Sequence, residues 1–174
     1  MKRDVAEAGT GDPPTAGRVV ILGLGNILQR DDGVGVHALR WIAQLPEYTH
    51  AADFVDGGTI SFFLLETIET ARALIVLDAV VLDNAPGTVG VFEGADMDRL
   101  LARPLAGSVH EVSLSELMDM ARLREGLPLH RALIGVEPET IAWGDTLSPS
   151  VQAALPRMAE AVQGLLTGWH HESM

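Results

Sequence analysis

Cysteine is absent from the 174-residue chain, which excludes a thiol nucleophile, a zinc–thiolate centre and an iron–sulfur cluster. Basic residues are scarce: twelve Lys and Arg against twenty-four Asp and Glu give a formal charge of -12. Such a field repels a phosphate backbone, so nucleic acid is not an expected partner; a cation, or a surface carrying basic residues, suits it better. No apolar run approaches the roughly 18 residues of a membrane span, so no membrane partner is expected. The opening MKRDVAEAGTGDPPTAG lacks the apolar centre of a signal peptide and reads as a flexible extension over residues 1–17 of a cytoplasmic protein. Internal repeats are missing, as are an H-E-x-x-H helix, a G-x-S-x-G elbow and a P-loop. GLGNIL lacks the third glycine of a dinucleotide fingerprint, so no organic cofactor is expected.

What is present is an alternation of aliphatic runs and amphipathic stretches across residues 18–168, one domain with a tail at 169–174. Val19 to Leu22 reads as a strand buried on both faces, and Gly23 and Gly25 as the sharp turn that follows it. That turn delivers Asp31 and Asp32 ahead of a helix expected from Val34 to about Leu45, with His37 and Arg40 on its polar side. The acid pair either caps that helix or faces a cation, a proton or water. Ala52 to Val55 is a second strand, ending in Asp56-Gly57-Gly58-Thr59, and Phe62, Phe63, Leu65 and Ile68 supply the next helical face.

Ala73 to Val81, ALIVLDAVV, is the most convincing central strand, and Asp78 interrupts it with a carboxylate that needs a strand end or a positive partner. Thr88 to Phe92 follows as an edge strand, and Met97 to Leu101 as a short helix. His110 lies in an irregular stretch just before Ser113-Leu114-Ser115-Glu116, a capping box that starts a helix. There a neutral, ligating imidazole is favoured over its protonated form. Arg131 to Val136 is the last strand; Ser148-Pro149 opens a closing helix in which Pro156 predicts a kink. Met158, Trp143 and Trp169 are expected to be packing residues. The whole predicts a three-layer α/β/α sandwich around a mostly parallel sheet of about five strands, with one antiparallel edge strand.

Asp32, Asp78 and His110 form an oxygen and nitrogen donor set suited to an open site for a borderline divalent ion such as nickel or zinc. GLGNILQRDDGVG, DGGT, LIVLDAVV, NAPGTV, SVHEVSL and LIGVEPE, in that order, resemble the hydrogenase maturation proteases over nearly the whole chain. The resemblance implies an aspartate-dependent endopeptidase that removes a C-terminal peptide from the large-subunit precursor of a nickel–iron hydrogenase after nickel insertion. It further implies that Asp32, Asp78 and His110 are metal-contacting and catalytic, the nickel being supplied by the precursor. Asp56, Gly57 and Gly58 match the family's substrate-discriminating loop, and Asp31 stands beside the site as a further recognition residue. Some members carry Glu where this chain has Asp32; the shorter side chain leaves both Asp31 and Asp32 open as the ligand. The protein is expected to act as a monomer. Two alternatives are a nickel-sensing chaperone that does not cut, and a peptidyl-tRNA hydrolase suggested by GLGN, which the acidic charge opposes.

Overall fold

The aliphatic runs become the middle of a sheet because alternate residues along each find an apolar layer on opposite sides. A computed structural model describes residues 6–7, 17–48, 50–103 and 113–172. Its strands are β1 (Ala6–Glu7), β2 (Val19–Leu24), β3 (Asp53–Gly58), β4 (Ala73–Ala79), β5 (Val89–Glu93) and β6 (His130–Val136). Their order is β1-β3-β2-β4-β6-β5, parallel throughout except for β5, which runs antiparallel to β6 at the edge. The sheet thus has the five strands and the antiparallel edge expected, plus the two-residue β1 on its far side, drawn from the stretch read as an extension.

The helices are α1 (Val34–Ile42), α2 (Leu64–Thr70), α3 (Ala95–Leu101), α4 (Leu114–Leu123), α5 (Pro149–Gln152) and α6 (Leu155–Glu172). Val19 and Ile21 of β2 pack in one core with α1, α5 and α6, whereas Val20, Leu22 and Leu24 pack in the other with α2, α3 and α4. Three layers result. The capping box starts α4 as expected: Ser113 Oγ accepts from the Glu116 N–H at 3.2 Å, and the Ser113 N–H donates back to Glu116 Oε2 at 2.7 Å.

Several local expectations are corrected. Gly23 does not turn the chain; it lies inside β2, where an added Cβ would stand 2.6 Å from the Gly35 carbonyl oxygen. Its partner Gly35 would meet the Leu77 oxygen at 2.0 Å, so this glycine pair lets α1 lie directly on the strands. The turn belongs to Gly25, with φ +114. Phe62 and Phe63 are not on a buried helical face: α2 starts at Leu64, they occupy the turn before it, and they are 59% and 77% exposed. Pro156 does not kink a helix, because the chain already breaks between α5 and α6 and places Pro156 in the first turn of α6, where a missing N–H costs nothing. Helix α6 also continues through residues 169–171, where a tail is expected, because Trp169 is buried and its Nε1–H donates to Glu93 Oε2 at 3.2 Å.

One topological feature positions the site. From β2 the chain passes through α1 to β3 on one side, but β4 then pairs with the other side of β2. The carboxyl ends of β2 and β4 therefore meet where the strand order reverses, the place where open α/β sheets hold ligands.

Candidate active site

Asp32 and Asp78 stand at this reversal. Asp78 is the sixth residue of β4, aligned with Gly135 of β6. Asp32 belongs to a single 3-10 turn, Arg30–Gly33, that packs on the end of β4. The turn is closed by Gly25, whose missing Cβ makes room for the Asp32 carbonyl, since a methyl there would lie 1.8 Å from that oxygen. Asp32 Oδ2 accepts the Asn26 N–H at 2.8 Å, so the first loop folds back on its own carboxylate. Its second oxygen has no hydrogen-bond partner among the described residues.

Asp78 is the group out of its ordinary state. Burial pushes its pKa from 3.8 up to about 7, the Ala79 N–H at 2.8 Å opposes this, and repulsion from Asp32 adds to it. Its own neighbour is the sole donor to it among the described residues, so two acids close enough to repel each keep one oxygen without a donor among those residues. Like charges so placed either share protons or take up a cation.

The neighbouring Asp31 is a different kind of acid. It is fully buried, and its Oδ2 accepts from the Glu139 N–H and Thr140 N–H, both at 2.9 Å, and from Ser148 Oγ at 2.8 Å. Oδ1 accepts the Ser148 N–H at 2.7 Å. Burial raises its pKa, but the Ser148, Thr140 and Glu139 donors outweigh this and hold the carboxyl below the usual range. Asp31, expected as a recognition residue, has its carboxylate turned inward, where it welds the first loop to the segment after β6. Asp32, one residue on, takes the outward position.

Asp56 also ends a strand, but in a bulge: β2 pairs Gly23 with Asp56 and Leu24 with Gly58, stepping over Gly57. Its side chain is buried, receives Arg40 Nη2 at 2.8 Å and accepts the Gly58 N–H at 3.1 Å. A cavity of about 440 Å³ opens above it between the loops after β2 and β3, lined by Asn26, Ile27, Val36, Asp56, Thr59 and Ser61. Gly57 and Gly58 border the same space. Glu137, after β6, accepts the Leu82 N–H at 2.5 Å and so fastens the loop that follows Asp78.

The structure thus brings Asp32 and Asp78 together and places the Asp56 loop beside them. His110 lies outside the described residues. Among the described residues no three His, Cys, Asp or Glu side chains gather as a metal site, and no helix is long and apolar enough to cross a membrane. Sequence reasoning missed the Arg40–Asp56 pair and the Asn26 donor, for which no local signal exists. It also misplaced Trp143, which is not a packing residue but 82% exposed. A polar, glycine-containing stretch around it, ETIAWGDT, is the signal that marks a loop.

A family model described as hydrogenase maturation protease (HycI) matches residues 36–164. The chain belongs to the hydrogenase maturation protease family. Hydrogenase 2 maturation protease of Escherichia coli K12 is 31% identical over 153 residues, covering 86% of this chain and 90% of that protein. The hydrogenase expression/formation protein HupD of Rhizobium leguminosarum bv. viciae is 30% identical over 158 residues, 90% of this chain and 78% of its own. Among solved structures, the hydrogenase maturating endopeptidase HybD from E. coli superposes with a TM-score of 0.75 at 31% identity, over 87% of this chain and 93% of HybD. As a hydrogenase maturation protease the chain is a peptidase, a hydrolase of peptide bonds, and the tRNA alternative falls away.

Proposed function

We propose that this chain is an endopeptidase that removes the C-terminal peptide of a nickel–iron hydrogenase large-subunit precursor once nickel has been inserted. The observation that carries the reading is the pair Asp32 and Asp78: two acids brought together beyond the carboxyl ends of adjacent parallel strands, each with an oxygen to spare, one of them with its pKa pushed up to about 7 by burial. Carboxylate oxygens of this kind fit a divalent ion, with His110 as the third donor. The nickel is cargo of the substrate, so its docking reports that insertion is complete. Its approach lowers the pKa of Asp78 and releases that proton. Asp32, held by the Asn26 N–H, fixes the orientation. The scissile segment then lies where a carboxylate can accept a proton from the attacking water. The Asp56–Gly58 bulge, held by Arg40, discriminates between substrates at the cavity beside the pair. The cytoplasm is the compartment this reading assigns.

The test is to incubate purified protein with nickel-loaded and nickel-free precursor and to follow the loss of the C-terminal peptide by mass. Loss from the nickel-loaded form alone is expected, and Asp32→Asn, Asp78→Asn or His110→Ala should slow it about 100-fold or more. A variant that processes at the wild-type rate removes the role assigned to its residue. Association without mass loss would instead favour a chaperone.

A further inference from the structure

Nine large apolar side chains are exposed among the described residues, and six of them project from one edge of the molecule. Leu28 follows β2, Phe62 and Phe63 follow β3, Val81 follows β4, and Ile141 and Trp143 follow β6. These are the four loops at the carboxyl ends of the parallel strands, and they surround Asp32 and Asp78. Clustering of this kind marks an interaction surface rather than the scatter of single apolar residues that any surface shows.

The ring has two jaws. Trp143 and Ile141 form one with Leu28, since the Gly144 N–H donates to the Leu28 oxygen at 3.0 Å and the Arg30 N–H donates to the Gly144 oxygen at 2.9 Å. The base of this jaw is welded by the hydrogen bonds that Asp31 accepts from Glu139, Thr140 and Ser148. Phe62 and Phe63 form the other, across the 440 Å³ cavity that Asn26 and Ile27 line on one side and Thr59 and Ser61 on the other. An exposed tryptophan on a backbone already fixed loses little freedom on association, which is the character of an anchor residue.

We infer that the two jaws dock the folded body of the protein that is cut, by apolar contact centred on Trp143, while its C-terminal segment enters the cavity between them. This rests on the endopeptidase reading, because the same four loops carry or border the carboxylates. Any protein that brings a scissile segment to Asp32 and Asp78 lies against these side chains. Exposed Glu66, Asp83 and Asp145 stand at the margin, so the partner surface has an apolar centre with basic residues around it.

The experiment measures the dissociation constant for purified nickel-loaded precursor, independently of cleavage, together with KM and kcat for processing. The variants are Trp143→Ser, the double variant Phe62→Ser/Phe63→Ser, and Leu123→Ser, an exposed apolar residue at the far end of α4. The two jaw variants should weaken association about tenfold or more, raise KM in proportion and leave kcat within about twofold, with Trp143→Phe restoring much of the loss and Leu123→Ser unchanged. Melting temperatures confirm folding, and if Trp143→Ser melts early, Ile141→Ser reads the same jaw. Dissociation constants within about twofold of wild type in both jaws overturn the proposal. Tight association that depends on Trp143 but yields no peptide leaves the docking face standing and overturns the endopeptidase reading.

Discussion

The two acids Asp31 and Asp32 are adjacent in the chain and opposite in consequence. Asp31 is stabilised by four donors at 2.7 to 2.9 Å and is a structural anion. Asp78 lacks such donors beyond its own neighbour, and it costs the fold stability whenever it is charged. Because its folded-state pKa is raised to about 7, its contribution is complete below the ordinary 3.8 and is lost as pH rises through about 7. Asp78→Asn removes that penalty while its amide oxygen still accepts the Ala79 N–H. The variant should therefore be more stable than wild type at pH 8, by on the order of a few kcal/mol, and melt higher, with the difference vanishing near pH 4. Melting curves of both proteins across that range check this; a difference that does not change with pH would mean that Asp78 is not held in its neutral form. A site residue whose removal stabilises the protein is the usual mark of function held at the expense of stability.

At the scale of elements, the feature that sets the site is the depth at which α1 sits on β2 and β4. Gly23 and Gly35 remove the two Cβ atoms that would hold the helix off, and the 3-10 turn that begins α1 then brings Asp32 over the end of β4. Gly35→Ala puts a methyl about where the Leu77 oxygen lies, 2.0 Å away, and the Leu24 oxygen at 2.4 Å blocks the other direction. Backbone cannot yield as a side chain can. The expected loss is about 3 kcal/mol or more in urea unfolding, with a lowered processing rate in whatever fraction stays folded. The glycine pattern was visible in the sequence, but its meaning was not: a turn and a helix contact both ask for glycine, and only the pairing of residue 23 with residue 35 tells them apart. The aromatic pair before α2 misleads for a related reason. Phe62 and Phe63 have the spacing of a buried face with Leu65 and Ile68, yet the helix begins after them.

At the scale of the whole molecule the net charge of -12 acts against compactness. The ion pairs Arg18–Asp53, Arg40–Asp56, Arg124–Glu69 and those of Asp98 with Arg122 and Arg131 offset only part of it. Screening the remaining repulsion should raise the melting temperature as salt increases from about 0.02 to about 0.3 M; a fall would mean that the ion pairs dominate. By itself the sequence determined the three layers, the order of the elements, the antiparallel edge and the candidate acids, because continuous aliphatic runs, helical spacing, a capping box and a lone aspartate in a strand are local patterns. Only the tertiary structure decided which acid of the pair faces outward, that Arg40 neutralises Asp56, and that Trp143 stands free. Those outcomes depend on donors and neighbours brought from far along the chain, Ser148 to Asp31 most plainly, and residue spacing carries no record of such encounters.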